Sequence, residues 1–257
     1  MALPEPGTTG TITAGASRGQ HGTVIDPQGY WVRTDAGRKA GPFYSAASFN
    51  PDVLWRSTFA AGDFSEWTYE GTTAQPSMWP QSPPITVRAG MARYEVSPAD
   101  AAAGRIHAKA YKDLPWQPVR LTARMMLDPG YVQPSWDAPA IIFQVKERHG
   151  PAGDSDPRLW VAALPDPPLQ RFALNGAATP HWASPFTVPR GDWFTLALEF
   201  RPGAGARLAL NGAQVAAAAA GDTVALHADA RLTFGIGTYG KARGVAWCDW
   251  AAAEELR

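Results

Sequence analysis

From residue 50 onward, apolar and polar side chains alternate in short runs, each closed by Gly, Pro, Asn or Asp. Side chains leave a β-strand on alternating faces, so such runs predict strands with one face in a core and the other in water. Residues 119–127 carry their apolar side chains at odd positions, and residues 194–200 at even ones. Residues 207–215 contain Asn211-Gly212, the pair that favours a type I′ hairpin turn. Residues 231–236 and 245–250 make two further runs, with the glycine-rich stretch from Gly235 to Gly244 between them. One interior must collect these apolar positions, so Leu196, Leu198, Phe200, Leu208, Leu210, Phe234 and Ile236 are expected to be buried. Helical signals are few: Ser97 to Ala103 can form a turn or two after Pro98, and Ala216 to Ala220 reads as a small-residue connection. Many short strands with almost no amphipathic helix predict an all-β, two-sheet antiparallel sandwich or jelly roll.

Before residue 50 the texture differs. Gly, Thr, Ala and Pro dominate, and the apolar pieces are as short as Thr23-Val24-Ile25 and Tyr30-Trp31-Val32. The division expected is an extended, loop-rich N-terminal arm over 1–49 and a sandwich over 50–257. Tyr30, Trp31, Phe43 and Tyr44 are costly to leave in water, so the arm should dock on the sandwich or on a protein partner.

Composition narrows the function. The 257 residues include 25 Gly and 24 Pro, 45% hydrophobic residues and 18% charged ones, which fits a turn-rich globular core and excludes a coiled coil. Lys and Arg number 23, as do Asp and Glu, so no basic field draws in nucleic acid, which is not expected as a partner. A lone Cys248 makes no internal disulfide, and with five scattered His it gives no zinc signature, so neither metal nor cofactor is expected. No apolar run approaches the ~20 residues of a membrane span. The start, Met1-Ala2-Leu3-Pro4-Glu5-Pro6, lacks a basic region followed by an apolar one, and a soluble chain without a recognisable export signal is expected.

Two runs put polar side chains on one strand face. Arg105, His107, Lys109 and Tyr111 share a side while Ile106, Ala108 and Ala110 face the core. In residues 140–147, Ile141, Phe143 and Val145 oppose Ile142, Gln144 and Lys146. A merely solvated face gives the same pattern. Tyr131, Trp136, Trp160 and Trp182 sit in Pro- and Gly-rich segments, where flat rings either stack on sugars or plug the ends of a sandwich.

The order of motifs carries a resemblance. Residues 53–59 (VLWRSTF) precede Gly62-Asp63-Phe64-Ser65-Glu66-Trp67, then come Met91 to Val96, Ile141-Ile142-Phe143-Gln144, Gly191-Asp192-Trp193-Phe194, the Asn211-Gly212 hairpin, Leu232 to Tyr239 and Trp247-Cys248-Asp249-Trp250. Over about residues 52–251 this resembles the concanavalin A-like jelly rolls of the heparin lyase I type of polysaccharide lyase. The resemblance implies a face that handles uronic-acid glycans by β-elimination, with a Gln-x-His pair and a late tyrosine. Here Gln144 and Tyr239 match, while Lys146 stands in place of the histidine, and His107 on the other polar strand is the imidazole that can replace it. Gln144, Lys146, His107 and Tyr239 are therefore the catalytic candidates if the chain is a lyase. Arg105, Lys109, Tyr111, Trp136, Trp160, Trp182 and Lys241 are the candidates for binding sugar. A lysine is a base only if its pKa falls from about 10.4. The leading expectation is thus a non-enzymatic module that recognises a polysaccharide or cell-surface glycan, or serves as a structural jelly roll, displayed on an assembly such as a phage virion through its N-terminal arm. The alternative is an active polysaccharide lyase, and a sandwich whose contacts are all with protein subunits is a third reading.

Overall fold

A computed structural model of the chain describes residues 9–12, 20–26, 31–40, 49–51, 53–70, 85–103, 107–132, 140–149, 154–164, 170–176, 186–188, 190–239 and 243–256. The chain divides into two units, one of residues 1–55 with 253–256 and one of residues 56–252 with residue 257.

In the first unit, β1 (Thr9–Ile12), β2 (His21–Asp26), β3 (Trp31–Thr34), β4 (Lys39–Ala40) and β5 (Phe49–Pro51) form a five-stranded antiparallel sheet in the order β4-β3-β2-β1-β5. Ile12, Val24 and Val32 are buried, and the last two are cross-strand partners. Gly22 is required where the strands meet, because a Cβ there would lie 2.4 Å from the Arg33 carbonyl oxygen. The apolar pieces of these strands are too short for a periodicity to show in the sequence.

The strands of the sandwich follow. β6 (Val53–Ser57) leads in, then β7 (Tyr69–Glu70), β8 (Ile85–Arg88), β9 (Met91–Val96), helix α1 (Pro98–Ala102), β10 (His107–Pro115) and β11 (Val119–Leu127). β12 (Ala140–His149), β13 (Asp154–Leu164), β14 (Gln170–Gly176), β15 (Phe186–Val188), β16 (Phe194–Arg201), β17 (Gly205–Leu210), β18 (Ala213–Ala218), β19 (Arg231–Tyr239) and β20 (Gly244–Glu255) complete the chain. A seven-stranded sheet runs β15-β14-β13-β12-β19-β10-β7, and an eight-stranded sheet runs β18-β17-β16-β11-β20-β9-β8 with β6 beside β20. The sheets are antiparallel, as the alternation requires.

β11 buries every odd position from Val119 to Leu127, opposite the buried even positions of β16. An aromatic chain crosses the interior. Phe143 meets Phe234 edge-on at 5.0 Å, Phe234 lies against Trp67 at 6.3 Å, and Trp67 stacks on Phe59 at 6.0 Å. Phe59 touches Phe64, and Phe64 meets Tyr94 on β9 of the opposite sheet at 6.1 Å. The Trp67 Nε1 donates to the buried Ser57 hydroxyl at 3.1 Å, which keeps the indole polar group satisfied within this apolar cluster.

Local signals were also realised. Asn211 (φ 50°) and Gly212 (φ 85°) take the positive dihedrals of a type I′ turn between β17 and β18. The Ser97 hydroxyl accepts from the Asp100 amide, while the Asp100 carboxylate takes the Ser97 amide and hydroxyl, a capping box that starts α1.

Four expectations need correction. Leu210 is half-buried, because it closes β17 at the exposed hairpin turn. Ala216 to Ala218 are strand, paired with Ala206 to Leu208, since alanine is small enough for either state and the hairpin decided. β19 continues through Gly235 and Gly237 to Tyr239 instead of ending at residue 236. A register shift between Ile141 and Phe143 breaks the alternation at the start of β12, so Ile142 is fully buried and Ile141 half-buried.

Candidate functional site

The polar face of the seven-stranded sheet centres on β12, β19 and β10. Register fixes which residues stand side by side, because cross-strand partners point to the same face. Gln144 pairs with Gly235 and Gly235 with Tyr111. On the other side Gln144 pairs with Trp160 of β13. One rung of the sheet therefore reads Trp160, Gln144, Gly235, Tyr111. The neighbouring rung reads Lys146, Thr233, Asp113.

Glycine at the middle of the first rung is what lets its neighbours meet. A Cβ on Gly235 would lie 2.7 Å from Tyr111 Cε1 and 3.0 Å from Gln144 Cγ, so both side chains lean over β19 into space that any other residue would fill. Gly237 (φ 143°) does the same for Lys109, whose Cγ lies 2.9 Å from its missing Cβ. With no side chain between them, the Lys109 Nζ on β10 reaches across β19 and donates to Gln144 Oε1 on β12 at 2.5 Å. The Lys146 Nζ sits 5.5 Å from the centroid of the Tyr111 ring, a cation–π distance.

Lys109 is 1% exposed and Gln144 2%, whereas Lys146 is half-buried, so Lys146 marks where the cluster opens to solvent. Burial, and then the positive charge of Lys146, hold the Lys109 amine well below the ordinary lysine range. The Gln144 Nε2 is buried without a hydrogen-bond partner, and so is the Trp160 Nε1 next to it on the rung. Two adjacent unsatisfied donors are costly to leave buried, a cost that an acceptor placed between them would remove. Farther along, Asp113 accepts from the Thr233 hydroxyl at 2.8 Å and from Arg148 at 2.5 Å, which closes that end of the face with satisfied charges.

His107 and Tyr239 are themselves cross-strand partners in the backbone register of β10 and β19. They stand four residues along β19 from the Gln144 rung, about 13 Å at ~3.3 Å per residue. Register thus sets the four catalytic candidates on three adjacent strands, Gln144 and Lys146 within the lysine cluster and the His107–Tyr239 backbone pair at the other end of β10 and β19. The side chains of His107 and Tyr239 lie outside the described residues, as do Arg105, Trp136, Trp182 and Lys241 altogether. Of the binding candidates, Lys109, Tyr111 and Trp160 are drawn together around Gln144. Trp160 lies inside β13, not in a loop. Tyr131 is no sugar platform: it is fully buried, and its hydroxyl shares a 2.7 Å hydrogen bond with Thr238. Sequence reading missed the two glycines, read there as a break between strands. Their signal was the spacing Gly235-Ile236-Gly237, small residues on the polar face of a strand whose other face is apolar.

No protein-family model matches the chain, and no curated protein matches its sequence. Among solved structures it is similar to Cellulose induced protein, Cip1, with a TM-score of 0.53 at 13% identity, covering 79% of this chain and 97% of that one. It is also similar to an endo-β-1,4-glucuronan lyase from the fungus Trichoderma reesei, with a TM-score of 0.50 at 12% identity, covering 79% and 96%. The fold is a concanavalin A-like jelly roll. It resembles that of polysaccharide lyases, as the order of sequence motifs implied. At these identities the likeness fixes the architecture and leaves the chemistry to the residues of the face. Among the described residues, no group of three or more His, Cys, Asp or Glu is placed to hold a metal ion, and no helix is long and apolar enough to cross a membrane.

Proposed function

We propose that the protein is a carbohydrate-recognition jelly roll that receives an acidic polysaccharide along the rung of Trp160, Gln144 and Tyr111, with Lys146 answering a sugar carboxylate. The observation that carries this reading is the pair of neighbouring buried donors, Gln144 Nε2 and Trp160 Nε1, that have no partner beside two lysines. An oxygen-rich anionic ligand supplies what they lack, and an indole flanking the polar group is suited to the apolar face of a sugar ring. The likeness to a glucuronan lyase makes glucuronan the first polymer to test.

In this reading the face binds without rapid cleavage, because Lys146 occupies the position where the resemblance expects a near-neutral histidine. One observation favours the lyase reading: the register that sets His107 directly opposite Tyr239. A single experiment separates them. Affinity electrophoresis and calorimetry with glucuronan, alginate and a neutral glucan should show retention by the acidic polymers alone, weakened about tenfold or more in Lys146→Gln, while the ultraviolet absorbance of an unsaturated uronate product stays flat. Robust turnover abolished by Tyr239→Phe would replace recognition by β-elimination, and equal affinity for the neutral glucan would refute the acidic ligand.

A further inference from the structure

We propose that the cavity over β16, β17 and β18, on the outer face of the eight-stranded sheet, binds a phosphate monoester through the guanidinium groups of Arg201 and Arg207. The inference goes beyond the recognition reading and uses none of the residues of the Gln144 rung.

Register builds the cavity. β18, β17, β16 and β11 lie side by side at one edge of the sheet, and one rung across them reads Ala217, Arg207, Glu199, Arg120. The next rung sets Gly205 beside Arg201. Cross-strand partners share a face, so each arginine has a small residue next to it and open space above that residue. Gly205 is fixed in its place, because its φ is 107° and a Cβ on it would lie 2.7 Å from the Ala218 carbonyl oxygen. The result is a cavity of about 250 Å³, lined by Glu199, Arg201, Arg207 and the small residues between them. Arg207 and Ala217 are exposed, so a ligand enters without any strand having to move.

Charge decides what the cavity takes. The first rung runs positive, negative, positive from Arg207 to Arg120, but its carboxylate serves one neighbour: Glu199 Oε1 accepts from Arg120 at 2.6 Å. Among the described residues, the guanidinium groups of Arg201 and Arg207 make no ion pair, hydrogen bond or ring contact. Asp222, just beyond β18, turns its carboxylate to the Ala219 amide at 3.0 Å and does not line the cavity. Two positive charges are therefore left over at one place. A guanidinium is a planar fork of donors that matches the oxygens of a carboxylate or a phosphate. A carboxylate or a sulfate ester brings one negative charge and answers one arginine. A phosphate monoester carries close to two at neutral pH, with three acceptor oxygens, and answers both. The cavity also has room for about eight waters at ~30 Å³ each, more than the five heavy atoms of a bare phosphate fill, which leaves a place for the group that the ester carries.

The test is a chemical-shift titration of the ¹⁵N-labelled full chain with glucose-6-phosphate, inorganic phosphate and glucose-6-sulfate, following the amides of β16, β17 and β18 and the arginine side-chain signals. Saturable shifts with glucose-6-phosphate are expected, with affinity about tenfold lower for the sulfate and about tenfold or more lower in Arg201→Gln and in Arg207→Gln. Ala217→Glu keeps both arginines and sets a carboxylate beside Arg207, so binding should be lost there too. Thermal melts establish that each variant is folded. Tighter binding of glucose-6-phosphate than of inorganic phosphate supports the ester, and equal binding overturns it in favour of the free ion. Shifts absent from these three strands, or an affinity unchanged in both arginine variants, overturn the site. Glucuronan takes no part in the experiment, so its outcome and that of the recognition reading are separate.

Discussion

The outer faces of the two sheets come from the same strand alternation and end in opposite electrostatic states. On the eight-stranded sheet three arginines have an answer: Arg93 pairs with Glu95 and lies 5.7 Å from the Trp247 ring, Arg120 meets Glu199 at 2.6 Å, and Arg124 meets Asp249 at 2.5 Å and lies 5.0 Å from the Trp193 ring. These groups are partly exposed, so the pairs add little stability, about 1 kcal/mol or less apiece, and each of the three charges is already answered within the sheet. On the seven-stranded sheet two lysines approach each other over β19, and two buried donors have no acceptor. The contrast teaches that a polar strand face alone does not mark a site. What marks one is polarity that the chain leaves unsatisfied.

The sharpest way to break this comparison is to remove what both faces share. Phe234→Ala opens the aromatic core beneath the lysine cluster and should cost about 3–5 kcal/mol, with Leu198→Ala on the other sheet costing about 2–5, both read by denaturant unfolding. Losses under 1 kcal/mol would mean the core does not hold the sheets as described. Next comes Gly237→Ala. Its Cβ would meet the Ala108 carbonyl oxygen at 2.2 Å in a left-handed conformation, so a loss of about 1–3 kcal/mol is expected, together with loss of glycan affinity.

Lys109→Met tests the buried charge itself. The folded state lowers this lysine's proton affinity, so at neutral pH the unfolded chain holds protons the native one resists. Wild-type stability gains from rising pH between the lowered native value and about 10.4, where the unfolded lysine titrates. The variant should be more stable than wild type at neutral pH, with an advantage that shrinks as pH climbs through that window. Melting curves across the window check it, and a constant difference would show that Lys109 is charged in the empty site. The smallest effect belongs to the other face: Arg120→Gln should shift stability by no more than about 1 kcal/mol and leave glycan affinity unchanged.

Much of the sandwich was legible because alternation is a local signal. Residues 119–127 match β11 in full, and Asn211-Gly212 forms the turn that its chemistry favours. The N-terminal sheet was not legible, because strands as short as Lys39–Ala40 hold too few positions for a period to register. For the site, Gln144, Lys146, Lys109 and Tyr111 were all named from strand faces, yet their grouping was not, since they lie on strands that are far apart in sequence. Trp160 was named for its ring and misplaced in a loop, because the polar residues 154–158 at the start of β13 hide the strand from the pattern.

The sequence by itself determined which side chains share a strand face, since that follows from the geometry of one extended segment. Only the tertiary structure decided which faces became neighbours. Inserting β19 between β12 and β10 put Gly235 and Gly237 where two lysines and a glutamine could close over them, and that proximity turned one polar face into a cluster of like charges and unmet donors. The physical reason is that strand periodicity is a local steric property, whereas desolvation and charge repulsion depend on what long-range pairing brings within a few ångströms.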